Sequence, residues 1–218
     1  WTGNGSAGAT IGHGLSRKPA MGIFRRKSLA QDWAVYHEGS DASAPEDKYL
    51  NLNLTDGVGD ATWLNDTPPS ASLWTLGTSG YVNTSSETFV AYSFARTPGL
   101  IGIGSYVGNG SADGAMVVVD DGGSGFRPAW VMIKRLEAGY AWHIQDAVRS
   151  PHNPTALGIN ANDTGGDSAS TGFDFIANGF KLRAGSDGGY NGSGATYIYL
   201  AFAEHPFGGD GVAQARAR

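Results

Sequence analysis

The sequence predicts an all-β protein of two tandem, internally duplicated antiparallel β-sandwich units, and three observations carry that prediction. The chain repeats itself, its apolar residues fall in short alternating runs, and its 34 glycines sit in a chain that is 40% apolar. Glycine at that level beside so many apolar side chains marks tight turns between short strands, since a disordered chain lacks the apolar content.

The repeat is read first because it sets the frame for every element. WTGNGSA at 1–7 returns as YVGNGSA at 106–112, an offset of 105. PAMGIFRR at 19–26 returns as PAWVMIKR at 128–135, and Trp33 as Trp142, both at an offset of 109. The run at 83–95 returns at 191–203, an offset of 108. The drift in offset measures changing loop length. Two copies of one module suit a scaffold or a repeated binding surface better than an enzyme, whose site needs unlike groups converging on one point.

Strands are predicted at 20–24, 33–36, 49–54, 73–76 and 89–94, and again at 116–119, 129–133, 142–144, 173–176, 180–182 and 197–202. Each is a short apolar or alternating run bounded by Gly, Ser, Asn, Asp or Pro. In YLNLNL at 49–54 the alternation places Leu50, Leu52 and Leu54 on a dry face and the asparagines on a wet one, which is sandwich geometry. No window of a dozen residues holds an uninterrupted helical apolar period, so helix content should be low. The boundary is expected near 96–104, where Pro98 and three glycines break the pattern, giving repeats at 1–98 and 99–207 and a tail at 208–218. The chain opens at Trp1 inside a motif, which reads as the C-terminal part of a longer protein.

The net charge of −5 with no basic block argues against a nucleic-acid surface. No apolar run reaches the roughly 20 residues of a membrane helix, so no membrane insertion is expected. Cysteine is absent, which removes disulfides, thiolate metal sites and a thiol nucleophile.

Tryptophans Trp33, Trp63, Trp74, Trp130 and Trp142 are the side chains able to stack on sugar rings. Trp33 and Trp142 occupy equivalent strand positions and read as core. Trp63 and Trp74 flank the loop 65–69 and have no counterparts, so they are the ligand-contact candidates. The oxygen-rich stretch 160–167 resembles a calcium loop in composition but lacks its terminal bidentate Glu, and reads as a solvated turn. Asp32, Asp56, Asp60 and Asp66 are the acids that a glycan-cleaving site would have to draw together. Asn83 and Asn191 precede the last strand of each repeat in short polar runs that read as turns. The five histidines fall in separate segments, and no nucleophile elbow accompanies them. No metal, cofactor or catalytic residue is expected.

Taken together, YVGNGSADG at 106–114, GFRPAWVMIKR at 125–135, FKLR at 180–183 and YIYLAFAEHPF at 197–207 resemble a family of β-rich domains in virion proteins of tailed bacteriophages. WAVYH at 33–37 and YLNLN at 49–53 extend the resemblance upstream, and the ending GVAQARAR resembles the C-terminus of such proteins. The resemblance implies the C-terminal module of a tail fibre or surface appendage, on the particle surface. It also implies contacts with other virion proteins and with itself, as a homo-oligomer in the trimeric manner of fibres. The expected function is non-catalytic recognition of host-surface glycan. A purely structural capsid or decoration protein and a glycan-cleaving tailspike-type enzyme stand as the alternatives.

Overall fold

The computed structural model describes residues 1–169, 172–183, 185 and 187–206. The expected tail at 208–218 lies outside them. The protein is all-β, and no α-helix occurs among the described residues. The chain divides into two compact units, Trp1–Ala95 and Arg96–Arg218.

The first unit holds β1 (Ala9–Gly12), β2 (Met21–Arg26), β3 (Ala34–His37), β4 (Lys48–Asn51), β5 (Gly59–Asp60), β6 (Leu73–Leu76) and β7 (Phe89–Phe94). A single 3-10 turn, Pro45–Asp47, leads into β4. These strands form a five-stranded sheet in the order β5-β4-β3-β2-β7 and a two-stranded sheet, β1-β6. Phe24, Ala34 and Tyr36 from the larger sheet meet Trp63, Leu64, Trp74, Leu76 and Val82 in one buried core. Inward positions alternate along β2 and β3 as the pleat requires.

The second unit holds β8 (Ile101–Val107), β9 (Met116–Val118), β10 (Pro128–Arg135), β11 (Trp142–Asp146), β12 (Leu157–Asn160), β13 (Ser168–Ala169), β14 (Phe173–Ile176), β15 (Gly179–Leu182) and β16 (Thr196–Ala203). Its sheets are six-stranded, in the order β13-β12-β11-β10-β16-β8, and three-stranded, β14-β15-β9. Val131, Ile133, Tyr197, Tyr199 and Ala201 pack with Val117, Phe173, Phe175, Phe180 and Leu182 to form its core.

Residues that correspond in the sequence repeat occupy the same places in these ladders. Met21 faces Phe94 and Phe24 faces Ala34; Trp130 faces Phe202 and Ile133 faces His143. Asn83 in the first unit and Asn191 in the second, read from the sequence as turn residues, are fully buried. Asn83 accepts the N–H of Asn4 and donates to the carbonyls of Ser6 and Gly77. Asn191 accepts the N–H of Asn109 and donates to the carbonyls of Ser111 and Gly185. Each ties its Gly-Asn-Gly-Ser segment to the loop before the last strand, and the three bonds satisfy the buried asparagine side chain itself.

Two expectations need correction. Strand β4 ends at Asn51, so Leu52, Asn53 and Leu54 do not continue an alternating strand. The chain turns there, with the Leu54 N–H on the Asn51 carbonyl at 3.2 Å, and the Asn53 side chain reaches back to the backbone of Trp33 at 2.9 Å. The stretch 96–104, read as a break in the strand pattern, already holds the start of β8 from Ile101. Gly99 does turn the chain, at φ +70°, but Gly102 and Gly104 are sites of close approach: a Cβ on Gly102 would lie 2.0 Å from Val119 and one on Gly104 2.7 Å from the Tyr199 hydroxyl.

Candidate functional site

Trp63 and Trp74 are not ligand platforms, because both are buried to within 1%. Trp63 packs edge-on against Phe24 at 5.4 Å and donates its indole N–H to the Lys48 carbonyl at 3.2 Å. Trp74 sits edge-on to Phe24 at 5.1 Å and Tyr36 at 5.2 Å, and its N–H donates to the Ser93 hydroxyl at 3.0 Å. Room for Trp74 comes from Gly22 on the inward face of β2, where a Cβ would stand 2.8 Å from the indole. Both rings and both indole N–H groups are engaged inside the core, which leaves at most 1% of either residue exposed to meet a sugar.

The two tryptophans expected to behave alike are unlike. Trp142 lies within β11 and is 2% exposed, as a core residue should be. Trp33 stands just before β3 and is only half-buried. The anchoring bond is shared: the Trp33 N–H donates to the Asn53 side chain at 2.9 Å and the Trp142 N–H to that of Asn162 at 2.7 Å. What differs is the neighbourhood. In register with Trp142 stands Lys134, fully buried, whereas the counterpart of Lys134, Arg25, holds its guanidinium 5.5 Å from the Trp33 ring centroid. Trp130 is half-buried and packs on Phe202 at 5.4 Å, across the β10–β16 pair.

Around Trp33 lies a depression of about 340 Å³ lined by Arg25, Ala30, Gln31, Asp32, Trp33 and Asn53. Its polar groups are held in place from within. The Asn53 amide donates to Asp32 at 2.8 Å while its oxygen holds the Trp33 backbone. Arg25 donates to the carbonyls of Leu29 and Gln31, which ties strand β2 to the loop that carries Asp32 and Trp33. The arrangement joins an indole flank, a carboxylate, two carboxamides and a cation on a concave surface. Such a set can stack on an apolar ring face and hydrogen-bond hydroxyls at its rim. Reading Trp33 from its repeat partner hid this; the signal available was Asp32, which has Ala141 at the equivalent place.

A second depression, about 440 Å³, runs beside β7 and is lined by Trp1, Ile11, Gly12, His13, Trp74, Phe89, Val90, Ala91 and Ser93.

The remaining candidates resolve into structure. In the stretch 160–167, Asp163 accepts from the Asn160 side chain at 2.7 Å and the Gly165 N–H at 2.8 Å, which hold its carboxyl below its ordinary value. Asp167 accepts from Arg149 at 2.7 Å. Of the acids, Asp60 pairs with Lys48 and Asp32 takes the Asn53 amide, while Asp66 and Asp60 both lie near Asp47, whose carboxyl is raised first by burial and then by the Asp66 charge. Among the described residues no group of three or more His, Cys, Asp or Glu is placed to hold a metal ion. The His143 imidazole is held below its ordinary value because burial disfavours its charged form, against the opposing pull of Asp187. No helix among the described residues is long and apolar enough to cross a membrane.

No curated protein and no solved structure matches the chain. The model of one family, a domain of unknown function (DUF7483), matches residues 1–206. With nearly its whole length covered, the chain belongs to the DUF7483 family.

Proposed function

We propose that the protein is a non-catalytic surface module of a bacteriophage particle, the C-terminal part of a tail fibre or appendage, that recognises host-surface glycan through the depression at Trp33. The observation that carries the glycan reading is the half-buried Trp33 ring set among Arg25, Gln31, Asp32 and Asn53. The placement in a virion, and the assembly as a homo-oligomer with other virion proteins, are supported by the sequence resemblance to tailed-phage appendage domains. A surface this shallow buries little of a ligand, so single-site affinity is weak, around millimolar to high micromolar, and many copies on one particle compensate through effective concentration.

The test is a host-polysaccharide array probed with the multivalent protein and with Trp33→Ala, alongside mass measurement of the native protein in solution. Binding that Trp33→Ala removes while the melting midpoint holds supports the reading. Binding indifferent to Trp33 overturns the site, absence of any glycan binding favours a structural decoration role, and release of cleaved product makes the protein an enzyme. A monomer overturns the assembly.

A further inference from the structure

We propose that the open edge of β7 is the seat of a sixth strand, antiparallel to β7 and running directly into Trp1. In the second unit the corresponding strand, β16, has β10 on one side and β8 on the other. In the first unit β7 has β2 on one side only and ends the sheet among the described residues.

The first rungs of the missing ladder are already in place. The Trp1 ammonium donates to the Phe89 carbonyl at 3.2 Å, the Phe89 N–H donates to the Trp1 carbonyl at 2.9 Å, and Thr2 bridges Thr88 antiparallel. The Trp1 ring stacks on Phe89 at 5.4 Å, as Tyr106, near the end of β8, stacks on Tyr197 at 5.0 Å. Since Phe89 turns its N–H and C=O away from β2, period two turns those of Ala91 and Ser93 the same way, onto the open edge. An edge with free donors and acceptors is a template for strand addition. Continuing backwards from Trp1 in the register of β8 on β16, successive residues fall opposite Val90, Ala91, Tyr92, Ser93 and Phe94.

The groove also says what that strand carries. In the second unit Tyr199 fills the space in front of its neighbour, so the residue opposite must be Gly104. The first unit has Ala91 at the place of Tyr199, and the volume that the tyrosine would take is the depression lined by Ile11, His13, Trp74, Phe89, Ala91 and Ser93. Residues directly opposite on paired strands point to the same face. The second and fourth residues before Trp1 therefore point into this groove, and large apolar side chains fit there where β8 has glycine.

The experiment fuses Thr-Leu-Thr-Leu-Ser, Thr-Gly-Thr-Gly-Ser or Thr-Pro-Thr-Pro-Ser directly before Trp1 of the 218-residue chain. It then follows amide hydrogen exchange at Ala91 and Ser93. The leucine extension should slow both amides about 100-fold against the proline extension, with the glycine extension between them. Equal exchange in all three overturns the strand, and equal protection by leucine and glycine overturns the groove's preference. Protection that rises with protein concentration, irrespective of the extension, assigns the edge to a second copy of the chain and also overturns the proposal.

Discussion

Trp33 and Trp142 share a backbone anchor and a place beside corresponding strands, β2 and β10, yet one is half open and the other sealed. In both residues the backbone N–H is held by an asparagine side chain, Asn53 or Asn162. Arg25, the neighbour of Trp33, directs its guanidinium to the carbonyls of Leu29 and Gln31 and keeps its charge at the surface. Lys134, beside Trp142, is fully buried and donates to the Arg135 carbonyl at 2.7 Å. One frame therefore holds a core residue in one unit and a surface feature in the other. Equivalent position transmits backbone geometry faithfully, but it does not transmit exposure, which depends on what the rest of the chain lays over the side chain.

The sharpest way to break that contrast is to truncate both rings. Trp142→Ala should destabilise by about 3–5 kcal/mol, the range for deleting a buried aromatic, read from urea unfolding followed by circular dichroism. Equal tolerance of Trp142→Ala and Trp33→Ala would erase the distinction.

The next largest effect tests what the units share. Asn83→Ala and Asn191→Ala each release one part-buried N–H and two carbonyls, and each should cost about 1–3 kcal/mol. Similar losses, read as shifts in urea midpoint, mark the two asparagines as one device used twice; a loss at one position alone would show that only one segment depends on it.

A smaller effect separates the units by pH. The His143 imidazole titrates below its ordinary value of 6.5 in the folded chain, so the unfolded chain takes up its proton first. Its contribution to stability is fully present above that ordinary value and is lost as pH falls through the lowered one. The first unit has the buried Ala34 at the equivalent place. Acidification from about pH 7 to 5 should thus lower the urea midpoint of the native chain more than that of His143→Ala. Parallel profiles would remove His143 from the acid response.

Trp33→Ala should give the smallest stability change, below about 1 kcal/mol, as for a partly exposed substitution. Glycan affinity is where its loss should register.

Much of the fold could be read from the chain. Apolar alternation at 20–24, 89–94 and 129–133 located strands β2, β7 and β10, because a strand's two faces are written into neighbouring residues. The paired offsets also located the asparagines that tie each unit's opening segment to its closing one, though their burial was not foreseen. The candidate site was poorly read. Trp63 and Trp74 looked available because they flank a polar loop, whereas Gly22, far away in sequence, opens the inward face of β2 to Trp74.

The sequence by itself determined the all-β class, the positions of most strands and the correspondence between Asn83 and Asn191 or Trp33 and Trp142, since periodicity and repetition are properties of the string. Only the tertiary structure decided which tryptophan is buried, that Gly102 and Gly104 belong to a strand, and that among the described residues β7 ends its sheet while β16 does not. Burial and edge status are set by what packs from distant parts of the chain, and no local pattern records that.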